Sequence, residues 1–142
     1  MCGIIAIVRK RTSRVAPDVE QLVGDINQAL ASFPDPATQG LDTALADTAD
    51  ALAGVDRSLR GEAGLAAMLA NPEAVQSAAD AITKIRERVA DVEAYLEAQG
   101  DSLPALEAVN GALVKLKDAL WAIERDRFRA AAEVTDLSLI HI

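Results

Sequence analysis

The clearest structural pattern in the chain is that of residues 72–99, PEAVQSAADAITKIRERVADVEAYLEAQ. Apolar residues recur there at alternating spacings of three and four, the heptad pattern of a helix that packs along one seam. The members of this seam are Val75, Ala78, Ile82, Ile85, Val89, Val92 and Leu96. Asn71 and Pro72 predict the helix start, because Asn is a common N-cap and Pro is tolerated in the first turn, and Gly100 predicts the helix end.

A second heptad segment follows the turn at residues 101–104. Its apolar positions are Leu106, Val109, Leu113, Leu116, Leu120 and Ile123. Two long helices joined by a short turn predict an antiparallel, coiled-coil-like hairpin of residues 72–99 and 104–135. Trp121, next to Leu120, is predicted to cap a helix interface, and the charged run at residues 124–127 is predicted to be a solvated helix face.

The chain before this hairpin also has helical periodicity. Pro17, Asp18 and Glu20 predict a helix start, and Pro34 predicts where that helix stops. A second amphipathic helix has Leu41, Leu45, Ala49, Leu52, Val55 and Leu59 on one face. A short helix from about residue 62 to residue 70 completes the set, so the sequence predicts a mainly α fold.

Composition excludes several classes of protein. The chain has 142 residues, of which 51% are hydrophobic and only 3% aromatic, and its net charge is −8, which disfavours nucleic acid binding. One cysteine and one histidine leave no disulfide and none of the common zinc sites, so neither a metal nor a cofactor is predicted. The apolar run Ile4 to Val8 is too short to insert in a bilayer, and we therefore expect a cytoplasmic protein without membrane contact.

The chemistry of this sequence lies at its start, Met1-Cys2-Gly3-Ile4-Ile5. Residues 2–8 are rich in Ile and Val and predict a short β-strand. Removal of Met1 would place a free α-amino group on the same residue as the Cys2 thiol. Because the pKa of an α-amine is near that of a thiol, the amine can act as general base for its own nucleophile.

This opening resembles that of the class II glutamine amidotransferases, whose nucleophile is an N-terminal cysteine. It is most similar to the glutaminase domain of glutamine-fructose-6-phosphate aminotransferases, in a variant with a long helical insertion. The resemblance covers residues 1 to about 8, with weaker likeness in the helix from Pro17 to Phe33. It implies an αββα sandwich as the parent domain, with Cys2 as the catalytic residue.

The resemblance also implies a reaction. Cys2 would attack the side-chain amide of glutamine, and the ammonia released would pass to a downstream synthase domain, most simply to form glucosamine 6-phosphate from fructose 6-phosphate. The implied partners are glutamine, a sugar phosphate bound by downstream domains absent from this chain, and a second subunit in a homodimer of the parent protein. Asparagine synthetases, glutamate synthases and purine-pathway amidotransferases open in the same way, so the ammonia acceptor stays open.

The chain departs from the family pattern after its first helix. The family's arginine-glycine-aspartate-serine-type segment, its glutamine-binding arginine and its distal aspartate have no counterpart, so no substrate-binding residue is assigned. Asn110-Gly111 has the letters of the family's oxyanion-hole pair but lies inside the predicted second heptad helix. Without an oxyanion hole, this chain alone is predicted to be inactive as a glutaminase.

These observations predict three regions. Residues 1–36 start the amidotransferase domain, and residues 37–136 form a helical insertion. Residues 137–142 are a non-native tail that resembles translated adapter sequence, with a short native apolar tail or strand as the alternative. The chain is thus expected to be a truncated N-terminal fragment. The alternative function is a non-enzymatic helical interaction or oligomerisation module. A third hypothesis is that the insertion only stabilises the glutaminase domain.

Overall fold

A computed structural model describes residues 15–100 and 105–140, with side chains as far as residue 137. These residues are helical and contain no β-strand, which confirms the mainly α prediction. The helices are α1 (Val19–Ala31), α2 (Leu41–Leu59), α3 (Gly61–Ala70), α4 (Pro72–Gln99), α5 (Leu106–Trp121), a π-helical segment (Ala122–Phe128) and α6 (Arg129–Ile140). The predicted strand at residues 2–8 lies outside the described residues, and the parent αββα sandwich stays a prediction.

The helix boundaries follow local sequence signals. Asp18 caps α1, because its Oδ1 accepts a hydrogen bond of 3.2 Å from the backbone N–H of Gln21. The left-handed backbone of Gly40, at φ 72°, turns the chain into α2, and glycine adopts this conformation without a steric penalty. Asn71 precedes α4 as predicted, but its side chain does not cap that helix. Its Nδ2 instead donates a 2.8 Å hydrogen bond to the carbonyl of Ala67 in α3.

The four longest helices surround one core in the ring order α1, α2, α5, α4. The end of α1 and the start of α2 line one surface groove, and the end of α4 and the start of α5 line another, so each of these pairs is antiparallel. The starts of α1 and α4 line the same small apolar cavity, which makes that pair parallel. Helix α3 carries the chain from α2 to α4 across one end of the bundle.

The core contains the apolar faces that the sequence predicts. The most deeply buried large side chains are Ile26, Leu45, Leu52, Val55, Ile82, Ile85, Val92, Leu116 and Ile123. Every heptad position of α4 is buried except Val75, which is partly exposed. Each helix therefore faces the core with the stripe that its apolar spacing defines.

The predicted hairpin is only part of the arrangement. Helices α4 and α5 are adjacent and antiparallel, but α4 packs more closely against α1, and α5 packs more closely against α2. Small buried residues allow backbones to approach, and these helices carry Ala29, Ala49, Ala78, Ala81, Ala112 and Ala119 in the core. The heptad seams of α4 and α5 thus serve a four-helix core instead of an isolated two-helix coil.

Helix α1 belongs to the same core as the residues beyond position 36. Ile26, Ala29 and Phe33 are buried in one cluster with the core side chains of α2, α4 and α5. The structure thus draws no boundary at residue 36 within the described residues, and the domain division stays a prediction. None of the described helices combines the length and the apolar content needed to cross a lipid bilayer.

Candidate functional site

The predicted catalytic residue, Cys2, lies outside the described residues. So does the rest of the Met1 to Ile7 segment that carries the family resemblance, and so does the tail after Ile140. The role of Cys2 as a nucleophile therefore stays a prediction from the sequence.

Asn110 and Gly111 are the fifth and sixth residues of α5, which begins at Leu106, and both are exposed. Only the first four backbone N–H groups of an α-helix lack a partner within the helix. The N–H groups of residues 110 and 111 come later and are used by the helix itself. In this conformation they are not available to stabilise an oxyanion.

A charged cluster around one buried carboxylate lies where α2 ends, and it consists of Asp56, Arg60 and Arg127. The Asp56 Oδ1 accepts a 2.8 Å hydrogen bond from Nε of Arg127, 71 residues further along the chain. The other oxygen, Oδ2, accepts bonds of 2.8 Å from Nη2 and 3.2 Å from Nε of Arg60. The Asp56 side chain is 5% exposed, against 21% for Arg127 and 58% for Arg60.

The two arginines keep Asp56 ionised. Burial raises the pKa of Asp56, but the hydrogen bonds and positive charges of Arg127 and Arg60 lower it more, so the pKa lies below its ordinary value. Both carboxylate oxygens are occupied by donors from the protein. The cluster is thus suited to tying α2 to the π-helical segment, and it is a poor candidate for a general acid or base.

The charged run at residues 124–127 is less solvated than predicted. Glu124 pairs with Arg86 of α4, and Arg127 reaches Asp56 of α2. Phe128, at the end of the π-helical segment, lines the small apolar cavity together with Val19 and Met68. Sequence spacing alone missed Asp56. Nothing in the sequence around a single Asp of an amphipathic helix indicates that it will be buried, or that its partner will be an arginine 71 residues later in the chain.

The outer surface of α5 exposes two large apolar side chains, Val114 and Trp121. Trp121 borders the groove between α4 and α5, which agrees with its predicted place at a helix interface. However, 56% of the residue is exposed. The guanidinium carbon of Arg125 lies 5.5 Å from the centre of its ring, within cation-π range. Across the groove, Lys117 of α5 forms a 3.1 Å ion pair with Glu93 of α4.

The described residues contain no group of three or more His, Cys, Asp or Glu side chains placed to hold a metal ion. No protein-family model, no curated protein and no solved structure matches this chain.

Proposed function

We propose that this chain is the N-terminal part of a class II glutamine amidotransferase in which Cys2 is the nucleophile. The observation that carries the proposal is the order Cys2-Gly3-Ile4-Ile5 directly after Met1. A cysteine at position two becomes the N-terminal residue when Met1 is removed, and Gly3 leaves room for a substrate to approach.

In the proposed reaction, the α-amino group of Cys2 accepts the thiol proton and the sulfur attacks the side-chain amide carbon of glutamine. The carbon–nitrogen bond breaks, and ammonia leaves with a proton returned by the amine. Water then hydrolyses the γ-glutamyl thioester to glutamate and frees the thiol. Fructose 6-phosphate bound by a downstream domain is the proposed ammonia acceptor, with glucosamine 6-phosphate as product.

The start of α1 indicates which end of the bundle would join the glutaminase domain. Val19, where α1 begins, lies at the end of the bundle that α3 crosses, next to Met68 and Phe128. The described chain enters α1 at this end, and the segment that carries Cys2 comes earlier in the sequence. We propose that the bundle is attached there to the cytoplasmic glutaminase domain.

The test is to read the source gene beyond the codon for Asp136 from an independent clone, and to express the continued reading frame. We expect the longer protein to convert glutamine to glutamate, and Cys2→Ala to lower the rate at least a thousandfold, since removing a nucleophile costs more than that in comparable enzymes. Trp121→Ala is the control and should retain the glutaminase rate. A gene that stops after Ile142, or turnover unaffected by Cys2→Ala, would contradict the proposal.

A second candidate is a helical interaction or oligomerisation module, in which the bundle itself is the functional part. The observation that favours it is the exposed Trp121, with Val114 58% exposed one heptad earlier on the same helix. Such a module should keep its partner binding after Cys2→Ser. An amidotransferase should lose its normal glutaminase activity after the same change.

A further inference from the structure

Helix α5 and the first residues after it carry a second heptad series on the face that points away from the core. Its members are Glu107, Gly111, Val114, Asp118, Trp121 and Arg125, and every one of them is exposed. We name these six residues the outward seam. Alternating steps of four and three residues place Glu107, Gly111, Val114, Asp118 and Trp121 along one side of α5, as in a coiled coil. Arg125 lies in the π-helical segment and joins this side because its guanidinium lies over the Trp121 ring.

The centre of the outward seam has the residue types that dominate binding energy. Trp121 is the single tryptophan of the chain, and its ring is more than half exposed beneath the Arg125 guanidinium. Tryptophan and arginine are among the types most enriched in interface hot spots. An exposed tryptophan and valine one heptad apart leave apolar area in water that association would remove.

The outer positions of the outward seam are complementary to those of an antiparallel second copy. An antiparallel second copy places Arg125 opposite Glu107, Trp121 opposite Gly111 and Asp118 opposite Val114. The outer pair has opposite charges, and the largest side chain meets the one residue that has none. Apart from its chain neighbours and the backbone of its own helix, no atom lies within 4 Å of the position that a Cβ on Gly111 would take. The surface over Gly111 is therefore open to a ring from outside.

The charges near the centre of this arrangement are balanced within each chain. The two-fold axis of such a pair passes close to residue 116, so Lys117 of one copy faces Lys115 of the other. The Glu93 carboxylate that pairs with Lys117 in the same chain offsets part of this like charge. An isologous pair uses each of these contacts twice.

We propose that two copies of this chain associate through the outward seam, antiparallel, with Trp121 of each copy packed over Gly111 of the other. This inference rests on the second proposed function, the interaction module, and names its partner and its surface. It makes no use of Cys2.

The experiment is sedimentation velocity of the 142-residue chain across a range of concentrations, with tryptophan emission recorded on the same samples. We expect a reversible dimer, with emission moving to shorter wavelength as the Trp121 ring becomes buried. Trp121→Ala and Gly111→Leu should each weaken dimerisation at least tenfold. Leu137→Ala is the matched control, because Leu137 is also 56% exposed but lies outside the outward seam, and it should leave the dimer unchanged.

A charge exchange separates this pairing from any other self-association. Glu107→Arg and Arg125→Glu should each weaken the dimer, and the two changes in one chain should restore it. A monomer at all concentrations, a dimer that survives Trp121→Ala, or a double variant as weak as the single ones would each overturn the proposal. Cys2→Ala should not alter the dimer, so failure here and failure of the amidotransferase proposal are distinguishable.

Discussion

The two ends of the bundle differ in how far their charged contacts are exposed to water. At the α3 end, defined by Asp56, Leu59, Met68 and Phe128, the charged group is buried, and Leu59 and Met68 are each 3% exposed. Towards the loop end, where α4 ends and α5 starts, the comparable charged contact is the ion pair of Lys117 and Glu93, whose side chains are 54% and 45% exposed.

The two ends should therefore differ in how much a substitution changes stability. Water can replace either partner of an exposed ion pair, so such a pair contributes little to stability. Water cannot replace the donors around Asp56 as easily, because the carboxylate is almost fully buried and a lost partner leaves a charge without compensation. The α3 end should therefore respond strongly to small changes, and the loop end weakly.

The largest effect is expected at Gly64 of α3. A Cβ at this position would overlap the backbone carbonyl of Leu59, and backbone cannot move aside as a flexible side chain can. Gly64→Ala should lower the free energy of unfolding by about 3 kcal/mol, measured by urea denaturation.

The control for this change is Gly24→Ala on α1, where no atom lies within 4 Å of the position that the added methyl group would take. That variant should be more stable by about 0.5–1 kcal/mol, because alanine favours helix more than glycine does. Equal behaviour of the two variants would show that α3 does not pack closely against the end of α2.

The next effect is expected at Asp56. Asp56→Asn removes the charge between Arg127 and Arg60 and should lower the free energy of unfolding at neutral pH by about 2 kcal/mol. Asp50→Asn on the same helix is the matched control, because Asp50 is exposed, and its effect should stay within about 0.5 kcal/mol.

The same variants predict a pH dependence. The pKa of Asp56 in the folded chain is lowered, so its contribution to stability is present above the ordinary aspartate pKa of about 3.9 and is lost as pH falls through the lowered value. The difference in unfolding free energy between the native chain and Asp56→Asn should therefore shrink below about pH 4. A difference that stays constant as the pH is lowered further would contradict the ion pairs at the α3 end.

The smallest effect is expected at the exposed ion pair between α4 and α5. Glu93→Gln should change the free energy of unfolding by no more than about 0.5 kcal/mol, and added salt should reduce that change further, because exposed charges are screened. A loss as large as that of Asp56→Asn would remove the contrast between the two ends.

The local features of this fold could be predicted closely, whereas its charged cluster could not. The stops at Pro34 and Gly100 and the buried faces of α2 and α4 agree with the structure. The capping role of Asn71 was wrong in its detail, because a hydrogen bond to the preceding helix competes for the same side chain. The nucleophile proposal for Cys2 depends on sequence alone and stays a prediction.

The spacing of apolar residues over a few turns is enough to predict most of the helices and the buried face of each one. It does not predict the π-helical segment Ala122–Phe128. Tertiary packing sets which helices are neighbours, brings Arg127 to Asp56 and leaves Trp121 exposed. These outcomes join residues far apart in the chain, and they depend on how closely small side chains let particular pairs of helices approach. That choice is made by the packing of the whole core, and no single segment encodes it.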